Sequence, residues 1–156
     1  MAPQTGFPGH LPQKKGLAKQ MFLYLETFHN FENIYLVRYF ETRFLEEADT
    51  FIAGLGMKTI KKLFYNIDLA EQTNDPKLFK KLQKEIWEIR LRHSGLQIRL
   101  LAFWDKTNSE KTLVIATHGF TKKVDKVPLN EIERAENIMK KYFENIDIRA
   151  IVDERN

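Results

Sequence analysis

The sequence predicts an α+β fold in which a small, mainly antiparallel sheet carries an N-terminal helical hairpin and a C-terminal helix. Three observations lead there: apolar residues recur at helical spacing in two blocks before residue 75, three β-rich segments follow between 86 and 118, and one more helical stripe closes the chain. One domain is expected from 156 residues that are 43% hydrophobic and 29% charged, a mixture that suits a single modest core. Twelve Phe, five Tyr and two Trp supply the large apolar bodies to build it without disulfides or metals.

Along the chain, Pro3, Pro8, Pro12, Gly6, Gly9 and Gly16 make residues 1–16 a flexible leader, since this mixture resists both helix and strand. Leu17, Met21, Phe22, Leu25 and Phe28 then share one face of a candidate helix over 17–31. Residues 1–33 are thus an N-terminal extension, with Met21 as an alternative start to Met1. The β-branched and aromatic run at 34–39 suits a first strand. Phe44, Leu45, Ala48, Phe51, Ile52 and Leu55 mark an amphipathic helix stopping near Gly54 and Gly56. A second helix from Lys58 places Ile60, Leu63, Phe64 and Ile67 on one face and ends at Asp75-Pro76, because proline disfavours helical geometry in the residue before it. Three strands, 86–92, 97–104 and 112–118, are separated by Ser94-Gly95 and by 105–109, and should pair as an antiparallel meander. The last helix, 131–144, has Asn130 as its N-cap, Glu133 completing a capping box, and Ile132, Ala135, Met139 and Phe143 as its buried stripe. The domain is drawn at 34–146, with a tail at 147–156.

Several function classes are set aside by what the chain lacks. With no cysteine there are no disulfides, thiolate zinc sites or cysteine nucleophiles, and a reducing cytoplasm is the default location. Lys19, Gln20 and Glu26 interrupt the apolar stretch after Lys14 and Lys15, which argues against a signal peptide. No window approaches the roughly 18 to 20 apolar residues of a membrane span, so no membrane partner is expected. The four histidines never fall at ligand spacing, so no metal site is expected. Neither a phosphate-binding G-x-x-x-x-G-K-[ST] loop nor a G-x-S-x-G elbow occurs. No small-molecule cofactor is expected.

What remains is cationic. The chain carries a net charge of +4, and between 86 and 128 eight basic residues (Arg90, Arg92, Arg99, Lys106, Lys111, Lys122, Lys123, Lys126) face four acidic ones (Glu88, Asp105, Glu110, Asp125), again +4. Period-two geometry puts Trp87, Ile89 and Leu91 on one strand face and Glu88, Arg90 and Arg92 on the other. A solvated sheet face explains this alternation on its own. Arg99 is different: within the apolar run 98–104 it must find a partner, for which Glu88 is a candidate, or open onto a groove, because burying an unpaired charge costs several kcal/mol. Lys122, Lys123 and Lys126 gather in the loop after the last strand. Basic side chains beside Trp87, Phe103 and Phe120 suit RNA, although each ring singly is as well explained by the core. His118, at a strand end, is a candidate for proton transfer or an ordinary structural histidine; His93, in the turn, is read as exposed.

Four segments in order, Trp87-Glu88-Ile89-Arg90, Ile98-Arg99-Leu100-Leu101-Ala102-Phe103, His118-Gly119-Phe120-Thr121-Lys122-Lys123 and Pro128-x-x-Glu131-Ile132-x-x-Ala135, resemble the phage-derived, HigB-like branch of the RelE/ParE toxin superfamily. The resemblance spans 34–146 and leaves the leader outside. It implies a RelE-like fold, and the toxin of a type II toxin–antitoxin system that cuts mRNA on the ribosome and inhibits translation. In such enzymes the ribose 2′-hydroxyl attacks the adjacent phosphate, chemistry that needs no metal. It needs in-line positioning, an acceptor for the 2′ proton, cations for the charge developing on phosphate, and a donor to the leaving oxygen.

By the same resemblance, Arg90 and Arg99 bind the scissile phosphate and Glu88 and His118 transfer protons. Arg92, Lys122, Lys123 and Lys126 contact RNA, and a helix-turn-helix antitoxin is the partner that silences the protein. Tyr142 departs from the family pattern, lying inside the last helix rather than near the C-terminal end. Two rivals share the fold: a non-catalytic ParE-like toxin that binds gyrase and damages DNA while leaving messages whole, and a degenerate toxin kept only as the antitoxin's partner. The nuclease chemistry requires that Arg90, Arg99 and the lysine loop converge on one phosphate-sized spot, with the arginines not consumed by internal ion pairs.

Overall fold

The computed structural model describes residues 38–107 and 113–153, with side chains of the last helix described to residue 146. The expected leader, the candidate helix over 17–31 and the first residues of the expected strand at 34–39 lie outside the described residues. The elements run β1 (Glu41–Phe44), α1 (Glu46–Ala53), α2 (Met57–Thr73), β2 (Phe79–Gln83), β3 (Ile86–His93), β4 (Leu96–Asp105), β5 (Leu113–Thr121) and α3 (Leu129–Asp153). The five strands form one sheet in the order β1-β5-β4-β3-β2, antiparallel throughout except for the parallel pair β1–β5. The predicted α+β class, helical hairpin, antiparallel meander and C-terminal helix are all present.

Helices cover both faces of the sheet. On one, Ile52 of α1 and Ile60, Leu63, Phe64, Ile67 and Ala70 of α2 pack on Ile89, Leu91, Ile98, Leu100, Ala102 and Val114. On the other, Ile132 and Ala135 of α3 pack on Ile86, Leu101, Phe103, Leu113 and Ile115. A central strand covered on both sides must be apolar on both sides, which is why β4 reads as an almost unbroken hydrophobic run with Arg99 as its exception. α1 opens with Glu46, Glu47 and Asp49, acids that complement the positive end of the helix dipole. α2 ends where Asn74 takes a left-handed φ of 51° and its N–H reaches the Ala70 carbonyl at 2.7 Å.

Four boundaries differ from those expected. Among the described residues strand structure begins at Glu41, and Arg38 and Tyr39, the part of the 34–39 run that is described, precede it. Its placement is tertiary: Glu71 of α2 accepts a hydrogen bond from the Thr42 N–H at 2.8 Å and pairs with Arg38, while the Tyr39 N–H reaches the Glu71 carbonyl. β2 had no counterpart in the expected pattern. Lys80, Lys81 and Gln83 of this edge strand are exposed, and its turn passes through Lys84 at φ 46° without a glycine to mark it. β5 runs on to Thr121 because Thr117 is an extra residue opposite the Leu101/Ala102 step. That bulge resets the alternation, so His118 and Phe120 fall on the α3 side with Leu113 and Ile115. Finally, α3 starts at Leu129 and extends to Asp153, so Asn130 is helical rather than the N-cap, and the Pro128 carbonyl accepts from the Glu131 N–H.

Candidate functional site

β2 stops pairing with β3 at Phe79, and the Leu78 carbonyl takes the last bond, from the Arg90 N–H at 2.8 Å. The edge of β3 beyond this point opens into a groove of about 330 Å3 that wraps the sheet edge, lined from α2 on one side and by arginines that alternate onto the opposite strand face. Its walls carry five cations, Lys62 from α2, Lys77 from the segment before β2, Arg90 and Arg92 from β3 and Arg99 from β4, together with Asn66. Asn66 is fixed from its amide to the Arg90 carbonyl at 3.4 Å.

Arg90 and Arg99 stand directly opposite each other across β3 and β4, a like-charge pairing that is unfavourable unless neutralised. Glu88 neutralises it. Its carboxylate lies 3.4 Å from Arg90 Nε and 3.1 Å from Arg99 Nε. Five cations less this one carboxylate leave four positive charges around the groove. The partner anticipated for Arg99 is therefore the one found. Arg99 is otherwise absorbed internally: it is 3% exposed, and its Nη1 donates to the Ile98 carbonyl at 2.9 Å. Burial pulls its guanidinium below the ordinary arginine range, Glu88 opposes that shift, and Arg90 and Arg92 reinforce it. Arg90 remains a third exposed and Arg92 is exposed.

The arginines thus converge, but both are ion-paired to Glu88, Arg99 while buried and Arg90 while a third exposed, so the cations open to an incoming anion are Arg92, Lys62, Lys77 and the exposed part of Arg90. The groove walls do not include the lysine loop. Lys122 is tied through its N–H to the Gln97 carbonyl at 2.7 Å, and Lys123 and Lys126 point to solvent. Lys62 and Lys77 were missed because they precede the segment in which the charge excess was counted, and no linear spacing links them to Arg90.

His118 is not brought into the groove. It is 1% exposed, with Nε2 at 2.8 Å from Glu131 Oε2 and Nδ1 at 3.0 Å from Thr117 Oγ1. A ring protonated on Nε2 donates to Glu131, while the one Thr117 hydroxyl proton also lies 3.1 Å from the Leu101 carbonyl, to which it donates. Burial lowers its pKa, and the bond to Glu131 only partly restores it. His93 is half-buried rather than exposed, with Nδ1 at 3.1 Å from Thr59 Oγ1.

The aromatic candidates are mostly core. Trp87 stacks on Phe79 at 4.8 Å and meets Trp104 edge-on at 6.0 Å, while Phe103 is fully buried against Tyr142 and Phe143. Phe120 is half-buried beside His118. Tyr142 donates to Asp105 at 2.7 Å. Asp105 lies six residues along β4 from Arg99, roughly 20 Å at strand rise. Burial and the Asp105 carboxylate push the Tyr142 phenol up to about 12. Burial alone would raise Asp105, yet bonds from Thr107 and Tyr142 hold it below the usual carboxylate range. Among the described residues no three potential metal ligands cluster, and no helix is long and apolar enough to cross a membrane.

The sheet order, the helices on both faces and the C-terminal helix define an α+β protein of RelE-like fold, with a cationic groove at one sheet edge. Residues 50–140, more than half of the chain, match the family described as Phage derived protein Gp49-like (DUF891). The chain belongs to this family, a relative of the RelE-type toxins of toxin–antitoxin systems. A search of the curated proteins found no match.

Proposed function

We propose that this protein is the toxin of a type II toxin–antitoxin pair, close to the HigB-like branch, and that it cleaves mRNA on the ribosome. The observation that carries this reading is the groove itself: five cations against the single paired carboxylate of Glu88, a net excess of four positive charges around a space of about 330 Å3, a match for a phosphodiester rather than for a neutral ligand. Arg90, Arg92, Lys62 and Lys77 hold the scissile phosphate and its neighbour and stabilise the charge that grows as the 2′-oxygen attacks. Phosphorus gains the bond to the 2′-oxygen and loses that to the 5′-oxygen, leaving a 2′,3′-cyclic phosphate and a free 5′-hydroxyl.

Glu88, the carboxylate paired with the groove's Arg90 and Arg99, is the candidate acceptor of the 2′ proton, freed as phosphate draws Arg90 away. An ammonium of Lys62 or Lys77 is the donor to the leaving oxygen. Arg99 acts through Glu88 as a positioning residue. His118 holds α3 against β5 in this scheme, and the lysines of the 122–126 loop contact RNA outside the groove. A helix-turn-helix antitoxin that covers the cations silences the protein.

The test is an Arg90→Ala/Arg92→Ala variant, expressed and checked for an unchanged circular dichroism spectrum. Loss of growth arrest and of mRNA cleavage is expected. Toxicity equal to wild type overturns the assignment, and arrest with intact messages and damaged DNA points instead to a ParE-like gyrase poison.

A further inference from the structure

The two helices of the hairpin treat their N-termini in opposite ways. α1 opens on Glu46, Glu47 and Asp49, whereas α2 has no acid in its first turn and carries Lys58, Lys61 and Lys62 within its first two. Cations at the positive end of a helix dipole work against folding, and among the described residues no ion pair relieves these three. A local rule broken without structural compensation marks a functional surface. Lys58, Lys61, Lys62 and Tyr65 fall at i, i+3, i+4 and i+7, a single stripe roughly 10 Å long. Tyr65 is 52% exposed, with the Lys62 ammonium 4.8 Å from its ring centre. Lys62 also lines the groove, so stripe and groove are one continuous basic surface.

We propose that this α2 stripe is a track for the backbone of single-stranded RNA, carrying the strand away from the groove, with Lys58 and Lys61 on phosphates and Tyr65 offering a face to a base. The proposal rests on the groove being an RNA site. An acidic peptide would match the charge, but it would not explain an exposed ring beside Lys62 on a basic stripe continuous with a phosphate-sized cleft, which is how single-stranded nucleic acid is bound.

The experiment uses the full chain and two 2′-O-methyl RNAs that cannot be cleaved, one of five nucleotides and one of twenty, titrated over a range of salt. Lys58→Gln/Lys61→Gln should weaken the 20-mer roughly tenfold at low salt and flatten its log K against log salt slope by about 1.4, two phosphates at about 0.7 each, leaving the 5-mer unchanged. Arg90→Ala/Arg92→Ala should weaken both RNAs. The track is overturned if Lys58→Gln/Lys61→Gln leaves the 20-mer's affinity and slope unchanged, or if it reduces polyglutamate binding while sparing RNA, which would make the stripe a protein-docking face. If Arg90→Ala/Arg92→Ala changes neither RNA, the groove reading fails and with it a track that starts from the groove, even where the lysine variant loses a 20-mer contact. Binding of neither RNA by the wild type overturns both.

Discussion

Glu88 sits within ion-pair reach of both Arg90 and Arg99, at 3.4 and 3.1 Å, and so holds together two like charges that face each other across β3 and β4. Glu88 and Arg99 are both buried, which makes the triad costly to break from one side. Glu88→Gln leaves Arg99 as an uncompensated buried cation and should destabilise the fold by about 3 kcal/mol, read from urea unfolding. A change below about 1 kcal/mol would mean that water already solvates Arg99.

Glu71 is fully buried, and desolvation pushes its carboxyl up to about 7 despite the bonds from Thr42 and the nearby Arg38. A carboxyl whose folded pKa is raised stabilises the protein below its unfolded pKa and loses that contribution as pH climbs through the folded value. Stability should therefore fall between about pH 4.5 and pH 7 by at most about 3 kcal/mol, and Glu71→Gln should abolish that slope. Thermal unfolding of both proteins across this range is the check, and parallel curves would refute it.

The opposite sign applies to His118, whose folded pKa is lowered by burial. Its contribution is complete above the unfolded value near 6.5 and is lost as pH falls through the lower folded value. In a Glu71→Gln background, which removes the competing slope, acidification below pH 6 should destabilise the protein, and a further His118→Gln change should blunt that loss. Because His118 lies outside the groove, RNA binding should survive the change.

A Cβ on Gly119 would lie 2.1 Å from Phe51 Cδ1 and 2.7 Å from Leu100 Cδ2. Gly119→Ala should cost about 1 to 3 kcal/mol through overpacking. Pairing it with Phe51→Ala should recover part of that cost, giving a non-additive cycle. Strict additivity would show that the helix and strand move apart freely.

Tyr142→Phe removes the bond to Asp105 and should cost about 2 kcal/mol in denaturant unfolding. At roughly 20 Å from Arg99 along β4, the change should leave the proposed RNA cleavage by folded protein at the wild-type rate. A large fall in cleavage without a matching fall in stability would place Tyr142 in the chemistry after all.

Local patterns identified most of the elements. Two helices followed from the spacing of Phe51, Ile52, Ile60, Leu63, Phe64 and Ile67, and the β3–β4 turn from Ser94-Gly95, which adopt φ of 50° and 76° as a tight hairpin requires. Polar β2 escaped notice because edge strands have only one face to bury. The strand Glu41–Phe44 left no signal in the sequence because β propensity does not register a parallel partner seventy residues downstream, where Glu41 pairs with Leu113.

Residue types and their order were enough to establish an α+β domain, an apolar central strand interrupted by one arginine, and a basic stretch suited to a polyanion, because each depends on periodicity or composition along the chain. Which cations share a groove, which are paired with Glu88, and that His118 is sealed beneath α3 depend on strand register, on the bulge at Thr117 and on where β2 stops. Those are long-range pairings, and only folding brings Lys62, Lys77 and Arg92 to the walls of one groove.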